Sequence, residues 1–229
     1  MTPRSLILFV VIAISSCNFK SADTYLQESK LAVEKEDYRT AINLLNTAIH
    51  KNPRLKEAYL QRGLCYQNIA RKDSAINDFK IVLGFDPANT TAWYYTGLSK
   101  YSDNKFDEAI ESYNKALITK GIANPSDTAA IRIIADTNDM QKTAGAFDVA
   151  IVQLYYQRGL AYYALKQTQK AYRDFQTCIA QKYNLDECFY LSSICWLAGN
   201  KSNTPCDTFK LNSAQGKNMA KNHLAHLCK

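Results

Sequence analysis

Apolar residues along this chain recur at helical spacing, in paired short runs, and the pairs themselves repeat. The stretch YLQRGLCYQNIARKDSAINDF, Tyr59 to Phe79, returns as YYQRGLAYYALKQTQKAYRDF, Tyr155 to Phe175, with nine of 21 paired positions identical. Ala41, Ala75 and Ala109 fall 34 residues apart, as do Tyr59 and Trp93, Gly63 and Gly97, and Pro53 and Pro87. From Ala109 to Ala171 is 62 residues, one period plus 28. The pattern predicts amphipathic helix pairs, for example over about 56–69 and 72–84. Gly63 and Ala75 lack bulk where the two backbones cross, and Tyr59, Tyr66 and Phe79 fill the space around them. Asp86-Pro87 stops the second helix, because proline lacks a donor and clashes in a helix interior. One such hairpin cannot cover its own apolar face, so neighbours must stack.

The period and these residues resemble the tetratricopeptide repeat. The copies lie at 22–55, 56–89, 90–123 (together 22–123) and 152–185, the fourth carrying Tyr155, Gly159, Tyr162, Ala171 and Phe175 in the family's places. Two copies depart from the pattern. Ser29 and Ala32 stand for Gly and Tyr in the first, and Tyr183 replaces the closing Pro in the fourth. The resemblance implies an all-α fold: a right-handed superhelix, or solenoid, of helix-turn-helix hairpins closed by a C-terminal capping helix pair. Residues 124–151 read as a helical insertion or linker, with Pro125-Ser126-Asp127 as a helix start before TAAIRIIADTNDMQ. Residues 186–229 read as a degenerate fifth repeat, beginning DECFYLSSICWLAG, followed by the cap. That ending resembles the close of many repeat lipoproteins, here Cys206-Asp207 and Leu224 to Cys228.

The first residues, MTPRSLILFVVIAISSC, carry one Arg and then a nine-residue apolar run from Leu6 to Ile14. Such a run is an export-signal core and too short to span a bilayer. Ile14-Ser15-Ser16-Cys17 resembles the bacterial lipobox. That resemblance implies a signal peptide over 1–16, lipidation of Cys17, and a lipidated linker over 17–21. Three acyl chains suffice for stable anchoring. The alternative is an ordinary signal peptide with an incidental Cys. Asn18 follows where the inner-membrane retention signal has Asp, which favours the outer membrane; the chain is expected to face the periplasm.

In the family the first helix of each repeat lines the concave face, and ligand contacts come from fixed repeat positions. Carried onto this chain, they give Leu60, Leu64, Gln67 and Asn68 in repeat 2; Tyr94, Leu98, Tyr101 and Ser102 in repeat 3; and Tyr156, Leu160 and Tyr163 in repeat 4. The family's carboxylate clamp needs Lys and Asn in its first repeat, where this chain has Leu26 and Lys30. Tyr94, Tyr101, Tyr156 and Tyr163 suit a peptide backbone and apolar side chains. The competing reading packs some of these rings against the insertion or the next repeat.

Composition adds little to this picture. Apolar residues make up 47% of the chain, and eight Gly and five Pro against fifteen Tyr fit long helices. The net charge is +7: Arg4 contributes one, residues 17–150 balance, and the remaining +6 lies after residue 150. A Lys-rich tail can meet phosphate, but a solvated helix face accounts for it, and no nucleic-acid motif is present.

With Cys17 as the anchor six Cys remain; Cys206 with Cys228 is the first candidate disulfide and Cys178 with Cys188 the second, with Cys65 and Cys195 read as small core residues. His223, His226 and Cys228 lack a fourth ligand, so a cap helix accounts for them better than a metal. No phosphate loop, nucleophile elbow or metal-helix motif is visible, so neither catalysis nor a cofactor is expected. The implied function is a non-catalytic, lipid-anchored adaptor binding a partner peptide on a Tyr-lined groove during envelope assembly or secretion. It would act as a monomer or within a hetero-complex. The alternative is a structural or carrier lipoprotein binding cell-wall peptide or glycan.

Overall fold

The structure, a computed structural model, describes residues 20–122 and 149–199. Among these residues it forms nine helices and no strands: α1 (Ala22–Glu34), α2 (Tyr38–Lys51), α3 (Lys56–Asn68), α4 (Lys72–Phe85), α5 (Thr90–Ser102), α6 (Phe106–Thr119), α7 (Ile151–Ala164), α8 (Thr168–Ala180) and α9 (Leu185–Gly199). The expected signal peptide, Cys17, the insertion helix, the capping pair, the Cys206–Cys228 bridge and the His223/His226 pair lie outside the described residues.

Within each repeat the two helices meet at a small residue facing a ring. A Cβ added to Gly63 would sit 2.6 Å from the Phe79 ring, one on Gly97 2.4 Å from Tyr113, and one on Gly159 2.9 Å from Phe175. The bulk that glycine omits is therefore filled by the ring sixteen residues later, rather than simply allowing the backbones to touch. Repeat 1 reaches the same fit differently. Ser29 replaces the glycine and Leu45 the ring, both are fully buried, and the Ser29 hydroxyl donates to the Leu26 carbonyl at 2.7 Å. Ala41, Ala75, Ala109 and Ala171 are all fully buried.

The turn between the two helices of each repeat is closed by one residue in the left-handed region, Glu36, Ala70, Asn104 or Lys166, with φ of 58–59°. The bonds are those of a Schellman ending, with Arg71 N–H donating to Tyr66 O at 2.8 Å and Lys105 N–H to Lys100 O at 2.9 Å. None of the four is glycine, so each L side chain there is strained. Ala70→Gly should raise stability by about 0.5–1 kcal/mol, relief of that strain exceeding the extra freedom of the unfolded chain. Urea unfolding followed by circular dichroism reads it as a higher midpoint.

Successive hairpins stack, each helix packing on the next. The odd-numbered helices also approach one another, α1 with α3 and α5 with α7, whereas no pair of even-numbered helices packs comparably. This agrees with the expectation that the first helix of each hairpin, the odd-numbered one, lines the inner wall. Adjacent repeats are tied by an aromatic reaching back to the preceding turn: the Tyr59 hydroxyl donates to Pro53 O at 3.2 Å, and Trp93 Nε1–H to Pro87 O at 2.8 Å. Tyr155 holds the same place in repeat 4. The 28 extra residues separate it from the preceding turn, and its buried hydroxyl has no partner among the described residues.

The N-terminal end of the stack is legible in α1. Cys65, Ser99 and Ala161 are buried against the repeat before them, while Leu31, at the same repeat position, is 57% exposed. Thr24 and Gln27, exposed on the same face, suit a surface that meets water.

Candidate partner-binding groove

The expected groove residues all lie on the inner-wall helices α3, α5 and α7, but the fold treats them unequally. Leu64 is buried in a cluster with Ala75, Phe79, Val82 and Ala92, and Leu60 is half-buried against it. Gln67 is half-buried, and Asn68 is exposed with its amide donating to Leu64 O at 2.9 Å. Leu98 and Leu160 are half-buried, and Ser102 is exposed.

The four tyrosines also divide. Tyr94 lies edge-on to Tyr95 at 5.1 Å and 6.3 Å from the Tyr113 ring, and burial pushes its phenol up to about 12. Tyr101 is half-buried and edge-on to Phe106 at 5.3 Å, its phenol raised by burial. Tyr163 is 37% exposed. Tyr156 is buried, edge-on to Phe175 at 6.5 Å and to Tyr183 at 5.7 Å, where burial and then a hydrogen bond with Glu187 raise its phenol. Leu64 and Tyr156 therefore support the wall from behind and offer no surface of their own. Tyr183, standing where the family closes with Pro, is one of the side chains that cover Tyr156. The remaining residues are an apolar and tyrosyl strip, Leu60, Tyr94, Leu98, Tyr101, Leu160 and Tyr163, with the polar Gln67, Asn68 and Ser102 on the same helices, and none of them carries a charge.

Cys178 and Cys188, the second candidate pair for a disulfide, are buried free thiols. Cys178 S–H points to the Val152 carbonyl at 3.7 Å. Cys65 and Cys195 are buried free thiols as well, both pushed up to about 11 by burial, as small core residues should be. Among the described residues no cluster of His, Cys, Asp and Glu could hold a metal ion.

Sequence reasoning missed the feature that explains why the chain repeats Gln-Arg-Gly-Leu. Arg62 forms a bidentate pair with Asp78, Nε to Oδ2 at 2.8 Å and Nη2 to Oδ1 at 2.7 Å, and its Nη1 donates to Asn46 of the preceding repeat at 2.8 Å. Arg158 does the same with Asp174, at 2.8 and 2.7 Å, and reaches Asn114 of the preceding repeat at 2.6 Å. Each guanidinium also lies between two tyrosine rings, Tyr59 and Tyr66 for Arg62, Tyr155 and Tyr162 for Arg158. Both clamps thus bind the two helices of one repeat and the helix before them. At the boundary between repeats 2 and 3 the corresponding residues are Lys80, Thr96 and Ser112, and no such clamp exists. Burial raises the Asp174 carboxyl against the pull of Arg158. It also works against the Arg158 charge, but the attraction and hydrogen bonds of Asp174 outweigh it and hold that guanidinium above its usual value.

The tetratricopeptide repeat profile matches residues 26–68 and 66–127, and a second profile of the same description matches 152–184. Among curated proteins the chain is 27% identical over 135 residues to small glutamine-rich tetratricopeptide repeat-containing protein 2 of Mycosarcoma maydis, covering 56% of this chain and 38% of that protein. It is 30% identical over 102 residues to the protein of the same name from Saccharomyces cerevisiae, covering 44% and 29%. It thus spans less than two fifths of these relatives. Among solved structures, MamA superposes with a TM-score of 0.64 at 16% identity, covering 90% of this chain and 94% of that one. YrrB, described as a TPR protein with an unusual peptide-binding site, superposes with 0.66 at 14%, covering 90% and 92%. These likenesses share the stacked-hairpin fold. With 34-residue hairpins, small-residue crossings and matches over more than half its length, the chain belongs to the tetratricopeptide repeat family, whose repeats generally serve as scaffolds for protein interaction.

Proposed function

We propose that this chain is a lipid-anchored adaptor that holds a segment of a partner protein on its inner wall. The observation that carries the reading is the uncharged strip Leu60, Tyr94, Leu98, Tyr101, Leu160 and Tyr163, partly exposed on consecutive inner-wall helices. Tyrosine offers broad contact area with few rotatable bonds, which makes it an effective anchor for a peptide. Cys17 supplies the membrane attachment through its lipobox-like surroundings, and the setting is an assembly or secretion process at the outer membrane.

Crosslinking in native membranes followed by purification tests the reading. A stoichiometric protein partner should be recovered with the wild-type chain. Tyr101→Ala and Tyr163→Ala together should weaken recovery about thirtyfold or more while leaving the helical spectrum intact, as loss of a central tyrosine anchor does. Cys17→Ser should release the chain from the membrane fraction. Undiminished recovery by the double variant sinks the groove. Glycan recovered without protein would point instead to a carrier of cell-wall material.

A further inference from the structure

Repeat 3 differs from its neighbours in one residue behind the groove. Repeats 2 and 4 press Phe79 and Phe175 against their glycines, whereas repeat 3 presses Tyr113 against Gly97. The Tyr113 side chain is fully buried, and its hydroxyl has no hydrogen-bond partner among the described residues. Phenylalanine in the sister repeats shows that the packing does not require this hydroxyl. Leaving it buried and unpaired costs stability. The ring lies beside that of the groove residue Tyr94, 6.3 Å away, and the Tyr94 and Tyr101 phenols are among the charges that it feels.

Charge narrows what the groove accepts. At positions 2, 5, 9, 12 and 13 of each repeat, counted from residues 22, 56, 90, 152 and 186, the charged residues are Asp23, Lys30, Glu34, Glu57 and Glu187, with none in repeats 3 and 4. The ends of the groove are on balance acidic and its centre is neutral. A peptide ending in a free carboxylate, or rich in Asp and Glu, meets repulsion at the ends and no basic partner at the centre.

We infer that the groove takes an uncharged, apolar, extended stretch from within a partner chain, one of whose backbone carbonyls displaces the Tyr94 ring and accepts a hydrogen bond from the Tyr113 hydroxyl. An extended segment is required because a helix already uses its own carbonyls. This rests on the groove reading above and adds the chemistry of the ligand and the residue that registers it.

The test pans a phage library of random dodecapeptides, displayed without a free carboxyl terminus, against the full chain in detergent micelles. Enriched sequences are then synthesised with amidated and with free carboxyl ends. Their binding to the wild type, Tyr113→Phe and Tyr101→Ala is read by fluorescence anisotropy. The expected peptides are apolar and uncharged, and the amidated form binds at least as well as the free acid. Tyr113→Phe should raise the thermal midpoint of the free protein by about 2–4 °C. It should also weaken the peptide about tenfold, the loss of one useful hydrogen bond. Acidic peptides, a requirement for the free carboxylate, or full affinity in Tyr113→Phe overturns the inference while leaving the groove in place. No enrichment, or binding that Tyr101→Ala does not weaken, removes the groove and the inference with it.

Discussion

Asp174→Asn should destabilise the fold by about 3–5 kcal/mol, the range found when one partner of a buried ion pair is removed. Arg158 is 3% exposed on its side chain and cannot turn to water for a replacement. Asparagine keeps the shape and one acceptor but removes the charge, so the guanidinium stays buried without its counter-charge while the bond to Asn114 remains. Asp78→Asn makes the same chemical change where Arg62 is 17% exposed, so water takes up part of the lost interaction. Its cost should be about 1–3 kcal/mol. Replacing both members of the buried pair, Arg158→Met with Asp174→Leu, should return stability to within about 1 kcal/mol of the wild type, because no charge is then left stranded. Urea unfolding of the four proteins gives the comparison. If Asp174→Asn costs less than Asp78→Asn, burial does not govern the strength of these clamps.

The two clamps also show which part of the fold can be read from a sequence. The helices of repeat 2, expected over 56–69 and 72–84, form at Lys56–Asn68 and Lys72–Phe85. Their apolar spacing is local, and the helical period records it directly. The recurrence of Gln-Arg-Gly-Leu and of Asp before Phe was equally visible, but its meaning depends on a third residue in another repeat. Asn46 precedes Arg62 by 16 residues, while Asn114 precedes Arg158 by 44, across the insertion. Only stacking makes the two arrangements equivalent. The left-handed turn residues escaped for the opposite reason. Ala70 and Lys166 are ordinary residues held at positive φ by the Schellman bonds, with no glycine to announce them.

The groove was legible in outline and less so in depth. Fixed repeat positions place Tyr94, Tyr101 and Tyr163 on the inner wall, but they do not say what stands over them. Tyr156 sinks because Tyr183 follows the turn after α8 and closes on it. Leu64 sinks because repeats 2 and 3 draw it into the cluster that includes Ala92. Both outcomes depend on neighbouring repeats, whose packing no single repeat encodes.

The crossing residues can be exchanged as a unit. Gly63→Ser alone should cost about 1–3 kcal/mol, because its Cβ would enter the Phe79 ring at 2.6 Å and that ring is fully buried. The better helix propensity of serine offsets only about half a kcal/mol of this. Phe79→Leu alone should also destabilise, by about 1–3 kcal/mol, since the ring fills the space left by the glycine. The two together reproduce the Ser29 and Leu45 pair of repeat 1, where the serine hydroxyl donates to the carbonyl three residues back, a bond Gly63→Ser can make to Leu60. The double variant should therefore lie at least 1 kcal/mol above the sum of the single losses, the coupling expected of residues in direct contact. Additive losses in a double-mutant cycle would mean that the pairing in repeat 1 is incidental and that each side chain answers to neighbours outside the crossing. A favourable coupling would mean that each repeat sets its own crossing by two side chains sixteen residues apart, so that one repeat can vary without disturbing the stack.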